Sequence, residues 1–527
     1  MKCTTIRLAR IIVCILYAHN IYAEDFTLYG KTIMVPRSSS CNAARDLVGS
    51  RQFLYRHDRK GFYTNFSITP EYASTYNTHR IAQYFFGYNA IDISGSLVED
   101  RGQNDILADY FGLSPKFQSV VVPKPHISYT LTTFDWFVGY HNFYFRTILP
   151  VGITRWGVCL DESIINDGNG TLFPPLYMDE YAVLPPADSF NEAMAGVSYG
   201  QVDELRFGLI NGSQKYSGAS DLILMLGGLI VNHDESHVGF HLRCAVPTGN
   251  KPNPEYFFTP ILGNGHFWEL GLCFTSHTLI WERDDEEFVS LYVDMNGTYF
   301  FNTHQCRSFD LYEPNLCNPC DSTLARFGSR YILAKNFDST GNYTGVTAPL
   351  INATTLDCKV NANLQFDIVF MFAYQHRHLG FDIGYNGWIK SRELVKLDDC
   401  DCQLPNVGLK GIQNVEQIMP VMDSPVTQSM ASLHGNYLAA QSFVSDANSP
   451  ILVSCPNIDP QSAATSSQMT HKIFAHINYV WDPMHEVQPY LGIGGEVEFE
   501  GIRPTDLPPM KNTRSLWALW AKGGFAY

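Results

Sequence analysis

Val360 to Arg392 reads VNANLQFDIVFMFAYQHRHLGFDIGYNGWIKSR, and one periodicity runs through it. Even positions carry Val360, Ala362, Leu364, Phe366, Ile368, Phe370, Phe372 and Tyr374. Between them lie Asn361, Asn363, Gln365 and Asp367, before the odd face turns apolar at Val369 and Met371. Gln375-His376-Arg377-His378 reverses the chain. The return leg sets Leu379, Phe381, Ile383 and Tyr385 on one face and Gly380, Asp382, Gly384 and Asn386 on the other. Successive strand side chains point to opposite faces, so a period of two sustained on both legs predicts two strands joined by a tight turn.

The length of the legs decides what kind of strand they are. Strands of soluble sheets usually run about 5–6 residues, whereas a transmembrane β-strand needs about 9–11, apolar outside and polar inside. Both legs reach the second figure with residues to spare. The fold class they predict is all-β: an antiparallel transmembrane β-barrel with short periplasmic turns and long extracellular loops.

Composition agrees. The 527-residue chain is 13% aromatic and only 17% charged, with 40 Gly, below the usual quarter for charge. No apolar run reaches the roughly 18 residues of a membrane-spanning helix, which does not count against a barrel. Lys2, Arg7 and Arg10 precede the apolar run Ile11 to Ala18, and Ala23 before Glu24 makes a cleavage site. That order predicts a signal peptide over 1–23 and an exported chain. Losing it removes three basic residues and no acidic one from a chain already at −16. Such a charge argues against a nucleic-acid partner and favours cations in any aqueous pore.

Along the chain, 24–60 is polar, with Ser38-Ser39-Ser40 and basic residues at Arg51, Arg56, Arg59 and Lys60, and reads as a periplasmic lead-in. The barrel is expected over 61–527. A strand at 61–69 is followed by a less regular one at about 80–94 and a helix-like piece at 105–113. Hairpins follow at 127–156, 222–246, 268–295, 360–391 and 473–499, with a short strand near 202–210. Long loops are expected at about 302–359 and 393–470. Trp517, Leu519, Ala521, Gly523, Phe525 and Tyr527 alternate to the last residue. The count is about 14 strands (12–16), even in number as single-chain bacterial barrels are. Counting back from the C-terminus puts the loops near 248–265, 302–359, 393–470 and 500–514 outside but the 157–201 connection inside, where a strand is miscounted.

From about Gly61 to Tyr527 the chain resembles bacterial outer-membrane porin-type barrels. The signal peptide, the hairpins and the aromatic-ended terminal strand carry that resemblance. It implies the bacterial outer membrane, contact with its lipid, and engagement of the barrel-assembly machinery through the strand ending in Tyr527. A homo-oligomer is compatible with it. The loop cysteines are similar to those of disulfide-rich major outer-membrane proteins of intracellular bacteria, and no residue role is carried over.

Motifs for catalysis are poor. Gly196-Val197-Ser198-Tyr199-Gly200 matches G-x-S-x-G, but with a helix-like piece before it and a strand after it, the reverse of a nucleophile elbow. Gly492-Ile493-Gly494-Gly495 sits inside a strand and opens no helix. His304, Cys306, Cys317 and Cys320 have a spacing that zinc could use, yet an oxidising compartment favours disulfides. The disulfide candidates are Cys306, Cys317, Cys320, Cys358, Cys400, Cys402 and Cys455, with connectivity open. No enzyme activity, metal or cofactor is expected.

The charges opposite the apolar stripe carry the functional reading: His241, Arg243, Glu269, Asp367, Asp382, Lys390, Glu496, Glu498 and Lys522. A Lys or Arg facing lipid at midplane costs about 2–4 kcal/mol, whereas a lumen charge is solvated. They are expected to line a pore, or to fill the interior as hydrogen-bonded pairs. The expected function is a porin-like channel for passive uptake of small polar solutes, leaning towards cations. The alternatives are a structural or adhesive surface barrel with tied outer loops, and a transporter of hydrophobic compounds.

Overall fold

The structure is a computed structural model that describes residues 30–56, 61–87, 89–102, 105–171, 187–197, 203–284, 286–311, 328–340, 343–398, 404–409, 452–500 and 515–527. Twelve strands form the barrel. They are β1 (Phe62–Asn77), β2 (Gln118–Tyr140), β3 (Phe143–Asn166) and β4, in two pieces (Ser213–Ala219 and Leu222–His233). Then come β5 (Ser236–Val246), β6 (Glu269–Asp284), β7 (Glu287–Phe300) and β8 (Asn363–His376). β9 (Leu379–Lys390), β10 (Gln468–Val480), β11 (Gln488–Glu500) and β12 (Ser515–Ala526) complete it. Each strand pairs antiparallel with the next, and β12 returns to β1, Phe525 opposite Phe66 and Trp517 opposite Ser74. Closure leaves the barrel wall without a free edge.

The hairpin that decides the fold class has the faces its alternation requires. On β8, Phe366 is 55% exposed and Asp367 2%. On β9, Leu379, Phe381, Ile383 and Tyr385 face outwards, and Asp382 and Asn386 are buried. The same holds around the wall, as at Leu272 (61%) and Ile493 (62%). Aromatic side chains mark both rims: Phe62 against Tyr140 and Tyr479 against Trp481 at one end, Tyr72 against Trp517 and Tyr299 against Phe301 nearer the other. An apolar belt of this area would be unstable in water and is what a bilayer requires. No helix among the described residues is long and apolar enough to cross a membrane.

The hairpin turns at His141–Asn142, Asp234–Glu235, Arg377–His378 and 481–487 all lie at the end where β1 begins and the chain stops. His141, Arg377, His485 and Glu486 take positive φ there, as tight turns demand. The described parts of the longer connections lie at the opposite end and build a cap. Its larger apolar cluster joins Val35, Phe85, Trp156, Phe257 and Tyr331. A second gathers Phe267, Phe300, Leu356 and Val360 around the three-stranded sheet of Thr303–Ser308, Thr355–Asn361 and Leu394–Leu397.

Several expectations are corrected. The barrel has twelve strands, the lower bound of the expected range. The 80–94 stretch belongs to the cap: His79–Phe86 is a helix burying Ile81, Ala82, Phe85 and Phe86, ended by Gly87 at φ +74°, and Ile91–Ser94 is a short strand. Counted back from the C-terminus, the connection after β3 lies outside with the other long loops, because no wall strand falls among the described residues of 202–210. No strand forms over the described part of 202–210, where Leu209 makes an isolated bridge to Tyr256. The helix-like piece at 105–113 is a two-residue strand and the 3-10 turn Ala108–Phe111. Val360 and Ala362 belong to the cap, because Asn363 at φ +54° breaks the chain away from β8.

β4 is interrupted at Ser220–Asp221. β3 pairs with the second piece up to Ile148–Ile223 and with the first from Val151–Ala219, one residue out of step. The break faces Pro150, which has no N–H to give a ladder, and Ser220 N donates to the Pro150 carbonyl at 2.8 Å.

Candidate functional site

The 24–60 stretch was expected beneath the barrel; its described part, 30–56, runs through the lumen from the cap to the periplasmic rim. At the outer end Thr32 N donates to Ser462 O at 3.1 Å, and Gln468 Nε2 to Val35 O at 2.9 Å. Midway is the short helix α1 (Ala43–Leu47), capped by Asn42, whose side chain accepts from Arg45 N at 3.4 Å. Gly49 follows at φ +70°, where a Cβ would lie 2.7 Å from the His476 ring. Only glycine fits a left-handed turn pressed against the wall in this way. At the lower end Phe53 stacks on Tyr490 (5.0 Å), and Tyr55 packs edge-on to Phe137 and Tyr144.

Apolar contact holds α1 in place. Ala44, Leu47 and Val48 meet Val369, Met371 and Ala373 of β8, Phe474 of β10 and Trp520 of β12. These wall residues all point inwards. The apolar turn of the odd face at Val369 and Met371 is therefore the seat for this segment.

Charge does the rest. Arg37 Nη2 donates to Asp367 Oδ2 at 2.7 Å, Arg45 Nη1 to Glu71 Oε2 at 2.7 Å, and Arg51 pairs with Asp382. Asp382 also accepts from Gly49 N at 3.0 Å, and Asn42 Nδ2 donates to Glu496 Oε1 at 3.2 Å. Other ion pairs join two wall residues: Arg146 with Asp135 (2.7 Å), Arg243 with Glu269 (2.8 Å), and Lys472 with Glu496 (2.5 Å) and Glu498 (3.9 Å), although Arg146 Nη2 also donates to the Asp46 carbonyl at 2.7 Å. Lys522 Nζ donates to the Arg45 and Asp46 carbonyls at 3.0 and 3.1 Å.

All nine side chains picked out in the sequence are buried, at 0–7% exposure. His241 shares a 2.9 Å hydrogen bond with Tyr144 Oη. Lys390, at the outer end of β9, faces Glu393 of the cap at 3.7 Å. The nine are not one constellation: they spread over β5, β6, β8, β9, β11 and β12. Sequence reasoning missed Glu71, Asp135, Arg146 and Lys472 on the wall, which occupy the same inward register. It also left Arg37, Arg45 and Arg51 outside the barrel, although the basic patch beginning at Arg51 was a signal.

Two gaps beside the segment are small. The gap between Ser38, Asn42, Tyr129, Trp156 and Lys472 is ≈ 20 Å³, and one under the cap beside Ile33, Phe257 and Arg330 is ≈ 30 Å³. About 10–15 Å³ holds one water, so these gaps take water and exclude a solute.

Cys306 and Cys358 are free thiols, which corrects the disulfide expectation for them. Gln305 stands opposite Cys358, so Cys306 lies on the other face of that strand pair and the two sulfurs cannot meet. No two described cysteines are bonded to each other; Cys455 is not among the free thiols, and Cys317, Cys320, Cys400 and Cys402 lie outside the described residues. So do Ser198, Tyr199 and Gly200. No cluster of metal-ligating side chains occurs among the described residues, and His304 pairs with Asp398 at 2.8 Å.

No family model matches the chain, and no curated protein matches it in sequence. Among solved structures, an outer membrane channel from Pseudomonas putida F1 is 8% identical, with 90% of this chain and 98% of that one covered at a TM-score of 0.37. A Pseudomonas aeruginosa FadL homologue is 8% identical, covering 88% and 89% at 0.26. The Ralstonia pickettii toluene transporter TbuX is 9% identical, covering 91% and 93% at 0.27. Closed wall, apolar outside, charged inside, short turns at one end and a cap at the other are on this chain's own evidence the architecture of an outer-membrane β-barrel protein. Within that class it is a barrel with a filled lumen.

Proposed function

We propose that the protein is a gated channel of the bacterial outer membrane for small polar solutes, leaning towards cations, with residues 30–56 as its gate. One observation carries this reading. Glu71, Asp367 and Asp382 have no Lys or Arg of the wall as ion-pair partner among the described residues; their cations arrive with the N-terminal segment. Withdrawal of that segment would bare three inward carboxylates against one inward lysine, Lys522, whose hydrogen bonds also go to the segment. Water would fill it, and the low-dielectric wall would focus the acidic field on passing cations. The nine inward residues of the sequence reading, with Glu71, are the proposed lining. The terminal strand ending in Tyr527 is the proposed contact for the barrel-assembly machinery.

Single-channel recording in a planar bilayer under a salt gradient tests the proposal. Wild-type protein is expected to stay closed for most of the record. The triple variant Arg37→Ala, Arg45→Ala, Arg51→Ala is expected to give frequent ohmic steps with a cation-biased reversal potential. A folded, heat-modifiable triple variant that never conducts would defeat the gate.

Transport of hydrophobic compounds is a second reading with one observation in its favour. An apolar groove of ≈ 570 Å³ opens on the outer face between Phe66, Phe134, Trp136, Leu149, Leu222 and Phe525, beside the break in β4. Saturable quenching of Trp136 fluorescence by a brominated hydrocarbon would support it; quenching that merely tracks bulk partitioning would not.

A further inference from the structure

We infer that the lumen binds linear oligocations, chains bearing guanidinium or ammonium groups at intervals, in the positions its own N-terminal segment now fills. This rests on the gated-channel reading and names the solute class for that site. The three docked arginines show what the wall receives. At the Arg37 position the wall supplies the Asp367 carboxylate at 2.7 Å, the Asn386 amide oxygen at 2.6 Å and the face of Trp388, 5.8 Å from the guanidinium carbon. Carboxylate, amide and aromatic face together suit a planar, delocalised cation. At the Arg45 position Glu71 presents one oxygen to the guanidinium while Tyr129 Oη donates to the other at 3.1 Å. At the Arg51 position Asp382 and Gln375 share the cation, with His476 3.4 Å from the carboxylate.

A second observation is independent of these pairs. Asn478 of β10 points inwards at 2% exposure, and neither of its amide atoms has a hydrogen-bond partner among the described residues. It stands opposite Gly380 on β9, next to Gln375. A buried amide left this way costs free energy unless something fills it. It offers a further acceptor and donor beside the Asp382 site. Asp382 lies near the periplasmic turn of its hairpin, whereas Glu71 and Asp367 lie in the outer halves of their strands. The carboxylates are therefore spaced along the passage.

Valence follows from that spacing. A single cation competes with one pair at a time and leaves the segment held at the other two and at Leu47. A chain with three linked cations meets all three carboxylates, each after the first at a high effective concentration.

Labelling of the native chain in liposomes tests this. Cys41 is a buried free thiol within the segment, so its modification by a membrane-impermeant maleimide, read peptide by peptide in a mass spectrometer, reports displacement. Tri-arginine and spermidine are expected to raise Cys41 labelling at least fivefold. Free arginine at matched charge, tri-glutamate and matched NaCl are expected to leave it unchanged. A response to tri-arginine alone assigns the site to guanidinium, and one to spermidine alone to ammonium; either supports the inference. Glu71→Gln and Asp382→Asn, checked by heat-modifiable mobility, weaken the segment and the oligocation at the same carboxylate, so they are expected to raise Cys41 labelling without ligand and to shrink the increment that tri-arginine adds. Equal labelling with tri-arginine, tri-glutamate and NaCl would overturn the inference, and needs no variant to fold. If the triple arginine variant conducts but tri-arginine neither blocks it nor exposes Cys41, the gate stands and the oligocation site falls. If it neither conducts nor labels, both fall.

Discussion

Asp135 and Glu71 lie on neighbouring strands, both inward and both buried, yet they answer to different parts of the chain. Asp135 is matched across the β2–β3 hairpin by Arg146, in a pair that folds with the wall. Glu71 is matched by Arg45, from a segment that only occupies the lumen. The lesson is that one type of contact does two jobs: pairs within the wall hold the barrel, and pairs to residues 30–56 hold it shut. A carboxylate of the first kind has nowhere to go when its partner is lost. One of the second kind can be hydrated by water that replaces the segment.

The largest effect expected from this contrast is on folding. Arg146→Ala leaves Asp135 buried without its cation, which costs about 3–5 kcal/mol, read from urea unfolding of the refolded barrel. Arg45→Ala should cost the barrel far less and appear as conductance. Equal losses of barrel stability in the two variants would erase the distinction.

Next is the outer face, where Leu272→Lys should cost about 2–4 kcal/mol in a bilayer. A value near zero in the same unfolding experiment would move the lipid belt elsewhere. Smaller is Leu47→Ala, which removes apolar contact from α1 alone. A loss of about 2 kcal/mol of docking would open the channel roughly thirtyfold more often without shifting barrel unfolding. A shift in unfolding with no change in opening would make α1 part of the wall's core.

The least effect is expected in the cap, and it depends on pH. Burial opposes ionisation of Glu393, but Arg307 at 2.7 Å and Lys390 outweigh it and hold the carboxyl below its ordinary value of 4.5. Since the folded pKa is the lower one, this stabilisation is complete above the unfolded value. It is lost as pH falls through the folded one. The protection factor of the Thr465 amide, whose N–H donates to Glu393 at 3.1 Å, taken as its exchange rate relative to the intrinsic rate at each pH, should therefore fall in acid below that range and stay flat from pH 6 to 8. A protection factor that falls towards alkaline pH instead would reverse the assignment.

Much of the wall was legible because a strand's alternation is local. Leu364 to Tyr374 announce the lipid face of β8, and Asp367 and Asp382 the lumen face, without reference to any other element. The site was legible only by half. The nine inward charges follow from register, but their partners do not. The odd face of β8 gave one hint: Val369 and Met371 have no place in a water-filled lumen. Residues 30–56 have no strand period to link them to it. The strand count erred twice: at 202–210, where the described residues form no strand, and at His79–Phe86, which mixes aromatic and apolar residues that a short helix uses as well as a strand.

By itself, then, the sequence determined an antiparallel membrane barrel, which face of each major hairpin meets lipid, and which charges turn inwards. Those properties are set by side chains two residues apart. Only the tertiary structure decided that the lumen is filled, that Arg37, Arg45 and Arg51 fill it, and which carboxylates they neutralise. Arg37 and Asp367 are 330 positions apart. An ion pair of that span is selected by closure of the barrel around the segment, and no local pattern encodes it.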